Sequence, residues 1–598
     1  MDAARDGLAA SPLLGVECSH GGRQWRGAPC DERLAATLSQ RLSLPEMVGR
    51  VLAARGVGLD EAEGFLSPTL RAFLPDPSHL LDMDAAIGRL MRAVEARETI
   101  AILGDYDVDG ATSSALLTRY FQALGLTVLL HVPDRMTEGY GPNEAALLGL
   151  HAKGATLAVT VDCGISAFQP LDAAAGAGLD VIVVDHHEAE ALLPKAVALV
   201  DPNRLDETSP HGHMAAVGVA FLLVVALNRA LRDAGYFKGR PAPDPMRWLD
   251  IVALGTVCDV VPLKGVNRAL VTQGLKVMAG RTNPGIAALS DVCGVKERPE
   301  AFHCGYILGP RVNAGGRVGK SDLGARLLAT EDANEAADLA RRLDDFNRER
   351  QEIEAHVLLE AIEQVEGRPD DGLPLLIAVG EGWHPGVIGI VAGRLKERYN
   401  RASCVIAMEG GQGKASLRSV PGLDVGAAVI AARQAGLLVN GGGHAMAAGF
   451  TVATSRLEEL RGFLGERLTA QLASPLLPVL ELDGVLAPEG LTLDLVETLR
   501  LLAPFGAGNP EPRFAVKAAR IIAPRVVGQG HVSFRIAGAS GGRVKAIAFR
   551  AADSELGHAL LRNNGTPMHL AGTLRPDHWQ GETNVQFVVD DGAELSRH

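Results

Sequence analysis

Between residues 99 and 203 the chain repeats one pattern five times, and that pattern leaves few folds open. Strand-length apolar runs, "TIAILGD" (99–105), "LTVLLHVPD" (126–134), "TLAVTVDCG" (156–164), "DVIVVDHH" (180–187) and "AVALVDPN" (196–203), alternate with segments of helical spacing. A run that is apolar at consecutive positions must be covered on both faces. This predicts βαβ units and a buried parallel sheet. In an open parallel sheet the strand C-termini converge on one edge, where ligands bind. Asp105 and Asp162 end two of the runs, Asp185 ends a third, and His186 and His187 follow it at once. Asp105, Asp107, Asp109, Asp162 and His186 are therefore expected to meet at that edge, although long stretches of sequence separate them.

The remaining chain divides by texture. At 598 residues it exceeds what one core can serve, so several domains are expected. Residues 1–40 show no periodicity and read as an irregular leader, and 41–95 read as a helical extension with proline breaks. Residues 331–366 contain no Gly or Pro and place Leu339, Leu343, Phe346, Ile353 and Val357 mostly three or four apart. That is one long amphipathic helix connecting two domains. A second α/β region follows, and after 471 short alternating strands predict a small β-barrel. No window holds 18 uninterrupted apolar residues, and the N-terminus lacks the basic and apolar regions of a secretory signal. Seven scattered cysteines without a C-x-x-C pair argue against zinc and disulfides and suit a reducing cytoplasm. The formal charge of -13 does not suggest a nucleic-acid binder, but binding depends on a local basic groove rather than on the average.

The stretch "GDYDVDG" (104–110) carries three aspartates at alternate positions. It opens like a calcium-binding EF-hand loop, but the twelfth position, which needs a bidentate Glu, is Leu116, and the preceding segment is a strand. A solvated acidic turn is the other plain alternative. Three strand ends turning acidic together beside a His pair are better explained by metal. Hard carboxylates with imidazole and no thiolate favour Mn²⁺ or Mg²⁺, and so many carboxylates exceed the needs of one ion, so two are inferred. Such a pair activates water and stabilises the oxygens of an in-line displacement at phosphorus. Asp259, in the otherwise apolar "VALGTVCDVVPL" (252–263), is expected to be bonded or coordinating, because a buried unpaired carboxylate is costly.

"GDYDVDG", "VDCG", "DHH" and "GTVCDVVPL", in this order, resemble the successive motifs of the DHH phosphoesterases. "RVNAGGR" (311–317) and "GGGHAMAAG" (441–449) resemble the linker and associated-domain motifs of that superfamily. "APFGAGNPEPRF" (503–514) looks like the entrance to the OB-fold of its single-stranded-DNA-specific exonuclease branch. The resemblance implies an α/β multidomain fold: a parallel-sheet DHH catalytic domain (96–325), a connecting helix (326–366), a second α/β DHH-associated domain (367–470) and a C-terminal OB-fold β-barrel (471–598). It also implies that Asp105, Asp107 and Asp162 serve one metal ion, and Asp109, Asp162, His186 and Asp259 the other, with the partition of Asp105 and Asp107 open. His187 would face the scissile phosphate.

In "GGGHAMAAG" the glycines can bring backbone N–H groups to an anion, with His444 as a further donor. By resemblance Gly442, Gly443, His444, Ser416, Arg418 and Arg135 would hold the 5′ end of a strand, with Arg311 and Asn313 nearby. In the barrel Phe514, Phe534, Phe549, Trp579 and Phe587 interleave with Arg543, Lys545 and Arg550, as a stacking surface requires, although most aromatics in a small barrel are core. The implied activity is a two-metal, 5′ to 3′ exonuclease that degrades single-stranded DNA to mononucleotides in recombination and repair. The implied setting is a monomer in the cytoplasm, away from membranes, served by a helicase and a single-strand-binding protein. The competing readings are a phosphodiesterase of short oligonucleotides or cyclic dinucleotides, a pyrophosphatase-like enzyme, and a non-catalytic single-strand-binding scaffold. The complete set of acidic and imidazole ligands argues against the last.

Overall fold

The computed structural model describes residues 11–134, 137–369, 371–472, 476–538, 542–579 and 582–595. They form two compact units, one of Met1–Phe73, Pro262–Arg268 and Leu477–His598, the other of Leu74–Val261 and Ala269–Leu476.

In the larger unit the five apolar runs form an all-parallel sheet in the order Val128–His131, Thr99–Gly104, Ala155–Val161, Asp180–Val184, Ala198–Val200. Numbered along the chain this is the order 2-1-3-4-5, whose direction reverses between the first and third strands. A crevice opens there at the strand C-termini. Asp105 and Asp162 end the two strands that flank it. Ile100, Ile102, Val159 and Ile182 are fully buried, as runs covered on both faces should be. The helix Val108–Ala123 springs directly from the acidic loop and is buried over almost its whole length. It packs on Ala216–Asp233 and on Leu249–Cys258, the helix that ends at Asp259.

The predicted connector is a single helix, Ala333–Glu366, about 50 Å long at 1.5 Å per residue. Asp332 caps it by accepting from the Asn334 and Glu335 amides. Beyond it lies a second sheet in the order Asn440–His444, Ala447–Ala453, Gln412–Arg418, Ala402–Glu409, Leu375–Glu381. Only its last pair is parallel.

In the smaller unit, Arg513–Val527, His531–Ala537, Arg543–Ala548, Glu582–Glu594 and Met568–Trp579 pair in turn, and the last closes onto the first. This is a five-stranded closed barrel. It corrects part of the aromatic reading: Phe514, Phe534 and Phe587 are barrel core rather than a stacking surface. Alternate residues of a barrel strand point inward, and Phe514 with Val516, Phe534 with Ile536 and Phe587 with Val589 keep that phase. Phe549 is exposed, and the side chain of Trp579 lies outside the described residues.

The irregular-leader reading of 1–40 is also corrected for residues 11–40, while 1–10 lie outside the described residues. Gln24–Gly27 is a strand paired in parallel with Val479–Leu482, and Glu32–Leu42 is a helix. Asp591, fully buried, accepts from Ser19 Oγ, the Gly21 amide, Arg23 Nε and the indole of Trp25, itself fully buried. A four-residue strand whose partner lies far along the chain leaves no periodic trace. The helical extension likewise divides, with Glu46–Ala54 packed in the barrel unit and Met83–Ala96 against Ala216–Asp233 in the other.

Candidate metal centre

Several side chains at the crevice are held by specific local devices. Asp107 is the N-cap of Val108–Ala123, and its Oδ1 accepts from the amides of Asp109 (2.8 Å) and Gly110 (3.0 Å). The solvated-turn alternative fails, since Asp105 and Asp109 are buried, although one oxygen of Asp107 is spent on capping. Gly110 lets the helix sit on the loop, because a Cβ there would stand 2.4 Å from the Asp105 carbonyl oxygen. Asp109 is fully buried at the N-terminus of Ala216–Asp233, accepting from the amides of Ala216 (2.6 Å) and Val217 (2.9 Å). Asp162 has φ of 59°, the left-handed region that costs a residue with a Cβ free energy and is found where a site demands it.

His186 Nδ1 lies 3.0 Å from the Met214 carbonyl, so Nδ1–H donates there and Nε2 keeps its lone pair. Nε2 lies 3.3 Å from Asp162 Oδ1 and 3.9 Å from Asp109 Oδ2. Asn203 steadies this histidine by donating to its backbone carbonyl at 2.6 Å. Among the described residues three groups of ligand atoms lie close enough to share ions, each within 4.8 Å: Asp105, Asp107 and Asp162; Asp109, His186 and Asp259; and Asp162, His186 and His187. Asp162 and His186 recur, so the groups form one continuous cluster.

The electrostatics show what the cluster is suited to hold. Burial, then the charge of Asp259, pushes Asp109 up to about 7. Burial and the charge of Asp107 do the same to Asp259. Asp162 is driven well above the carboxylate range by burial and by Asp107, Asp109 and Asp105. Carboxylates gathered in this way are stable as anions only beside a cation. The donor set, carboxylates with one imidazole and no thiolate, fits Mn²⁺ or Mg²⁺.

His187 is held differently. Its Nδ1 donates to Asp185 Oδ1 at 2.7 Å, and Asp185 also accepts from the amides of His186 and Ile165. Burial disfavours the imidazolium, but the bond to Asp185 and its charge outweigh this and raise His187 to about 9. Asp185 is lowered despite its burial by the same bond. The Tyr140 hydroxyl donates to the Asp162 carbonyl at 3.2 Å and stands 3.4 Å from His187 Nε2. The sequence reading assigned no role to Asp185, Tyr140 or Asn203. Only Asp185 carried a signal, as the first letter of "DHH".

The proposed anion ligands gather on the second sheet. Register sets Gly442 opposite Gly449 and Gly449 opposite Ser416, while His444 faces Ala447 and Ala447 faces Arg418. Two cross-strand rows result, with Gly442, His444, Ser416 and Arg418 at the same phase. Arg418 Nη1 donates to Ser416 Oγ at 3.1 Å. Both side chains abut Gly389, in the first turn of Ile388–Tyr399, a helix N-terminus of the kind that favours anions. Gly443 has φ of 149°, and a Cβ there would meet the Ala447 carbonyl oxygen at 2.5 Å.

The guanidinium of Arg311 is engaged by Asp344 at 2.8 Å and by the Ile307 carbonyl. The linker arginine beside the acidic loop is Arg317. Its neighbour Gly316 abuts Tyr106, and Arg317 donates to the Gly386 carbonyl at 2.9 Å. Asn313 lies half-buried on the same helix, Gly309–Val318, and Arg135 lies outside the described residues.

Family comparison identifies the class. The DHH family N-terminal domain matches residues 99–256, the DHHA1 domain 372–470 and the RecJ OB domain 482–591, which makes this a DHH-family protein. The single-stranded-DNA-specific exonuclease RecJ of Escherichia coli is 37% identical over 563 residues, 92% of this chain and 96% of that protein. Its counterpart in Dickeya dadantii is 38% identical over 563 residues, with the same 92% and 96% coverage. The crystal structure of Thermus thermophilus RecJ with Mn²⁺ superposes with a TM-score of 0.79 at 29% identity, covering 95% of this chain and 79% of that one. The chain belongs to the RecJ family.

Proposed function

We propose that the chain is a metal-dependent exonuclease that hydrolyses single-stranded DNA from its 5′ end to mononucleotides, in recombination and repair. The observation that carries this reading is the convergence of Asp105, Asp107, Asp109, Asp162, His186 and Asp259, from four separated segments, on the switch point of a parallel sheet. Asp105, Asp107 and Asp162 would hold one divalent cation, and Asp109, Asp162, His186 and Asp259 a second, with Asp162 shared. When bound, Mn²⁺ or Mg²⁺ supplies Lewis-acid stabilisation of the phosphoryl oxygens and lowers the pKa of the attacking water.

The chain's own residues supply positioning and a proton. Asp185 holds His187 protonated with Nε2 aimed away from Asp185, so His187 can donate to a phosphate oxygen or to the leaving 3′ oxygen. Tyr140 limits the swing of that ring. Ser416, Arg418, His444 and the amides of Gly442 and Gly443 bind the terminal 5′ phosphate, assisted by Arg135. On the linker helix Arg311, oriented by Asp344, and Arg317 would assist. Fixing a 5′ phosphate at a set distance from the metals makes the enzyme count from an end.

A single strand must be exposed before it can be cut, so the same reading has a helicase and a single-strand-binding protein supply it. The reading treats the enzyme as a cytoplasmic monomer. Among the described residues no helix is long and apolar enough to cross a membrane.

Single strands labelled at the 5′ or the 3′ end, incubated with Mn²⁺ or with chelator, test the proposal. The 5′ label should leave first, as a mononucleotide, only with metal, and Asp162→Ala should abolish release. Activity in chelator, or release beginning at the 3′ end, refutes it.

A further inference from the structure

One continuous helix joins the acidic loop to a surface that the mechanism does not use. It contains a π-helical turn, His303–Leu308, that runs directly into Gly309–Val318. The inner side of the turn is anchored beside the metal centre. The Cys304 carbonyl accepts from Cys258 Sγ at 3.3 Å, Gly305 packs on Val257, and Asp259 follows Cys258 in the chain. The outer side carries two large rings in water: Phe302 is 50% and Tyr306 75% exposed. Their centroids are 5.2 Å apart and their planes 25° from parallel, a stacked pair. A π turn adds a residue to the helical repeat and recurs at functional sites.

The spacing of Phe302, Tyr306, Pro310, Asn313 and Arg317, by four, four, three and four residues, is that of one helix face. At its far end Gly316 abuts Tyr106 of the acidic loop, and Arg317 reaches the Gly386 carbonyl. The stripe therefore passes from aromatic faces to an amide and then to a guanidinium as it nears the metal ligands. About 16 Å of helix separates Tyr306 from Arg317. An apolar protein partner would favour a wholly apolar stripe. A single strand, with bases to stack and phosphates to pair, matches the observed gradient.

We propose that Phe302 and Tyr306 form a stacking platform for bases of the uncut part of the strand, holding it in line with the metal centre. The inference rests on the single-stranded-DNA reading above. Stacking is tolerant of sequence, because every base has a π face, as an enzyme that consumes any sequence requires. Phe302 and Tyr306 are positioning residues and touch no reacting atom.

The test is equilibrium binding in chelator, where nothing is cut, using 5′-phosphorylated oligothymidylates with one 2-aminopurine placed at successive positions. Wild type should stack, and so quench, the probe at a narrow set of internal positions. Phe302→Ala with Tyr306→Ala should abolish that quench and weaken binding of a long oligothymidylate about tenfold or more, while leaving dinucleotide binding unchanged. Phe302→Leu with Tyr306→Leu keeps the surface apolar and guards against a folding defect. It should retain the wild-type melting temperature and still lose the quench. Unchanged quenching in the double variants, or equal loss for long and short strands, overturns the platform. Failure of the exonuclease reading is read separately, as a wild-type protein that releases no nucleotide from single strands with Mn²⁺.

Discussion

Replacing Asp259 by Asn tests the electrostatic argument with one atom changed. Asp259 is 19% exposed at its side chain, its Oδ2 receives no hydrogen bond, and its ligand atom lies within 4.8 Å of those of Asp109 and His186. Two like charges at that separation repel by about 3.5 kcal/mol at an effective dielectric constant of about 20. Linkage gives a similar figure. A carboxyl raised from 3.8 to about 7 binds its proton more tightly in the folded state than in the unfolded one. The associated stability is present at low pH and is lost as pH rises through 7. About three units correspond to on the order of 4 kcal/mol at pH 8, shared with Asp109.

The metal-free Asp259→Asn protein should therefore be close to wild type in stability at about pH 4, where the unfolded carboxyl is still largely protonated, and more stable at pH 8, with a melting temperature higher by roughly 4 °C. Wild type should lose that difference on addition of Mn²⁺, which stabilises it by about 2.7 kcal/mol at a hundredfold excess over Kd. The variant should respond weakly and turn over no DNA. Calorimetry at both pH values, in chelator and in Mn²⁺, reads all four quantities. A metal-free variant less stable than wild type at pH 8, or an undiminished Mn²⁺ response, would refute the reasoning.

Two further outcomes follow from the same structure. Arg418→Ala removes the guanidinium that leans on Ser416 at the start of Ile388–Tyr399. It should raise KM for 5′-phosphorylated strands about tenfold or more, with a smaller effect on 5′-hydroxyl strands, in steady-state assays of both. Asp591→Asn leaves Ser19, Arg23 and Trp25 facing an amide in place of a buried carboxylate, at a cost of about 3–5 kcal/mol. Limited proteolysis should then cleave near residues 19–27 first, while the metal-dependent shift of the larger unit persists.

Much of the catalytic domain was legible because its signals are local and repeated. Five runs apolar at consecutive positions can be satisfied only by a sheet covered on both faces, and the acidic residues at their ends then have one place to meet. Asp259 was legible as a carboxylate in an apolar run. What was not legible is whatever depends on direction. Arg311 and Arg317 belong to one seven-residue motif, and only the helix shows that the first turns toward Asp344 and the second toward Gly386. Asp185 reads as a strand end until its carboxylate is seen bonded to His187. The barrel aromatics are the opposite case, since the alternation that buries Phe534 between Val532 and Ile536 was present in the sequence. The strand Gln24–Gly27 left no sign, because its register is set by Val479–Leu482, far along the chain.

Anomalous diffraction from crystals soaked in Mn²⁺ tests the central claim most directly. The account predicts two peaks about 3.5–4 Å apart, one against Asp105 and Asp107 and the other against Asp109, His186 and Asp259, with the Asp162 carboxylate between them. A single peak, or two peaks that Asp162 does not bridge, would contradict it.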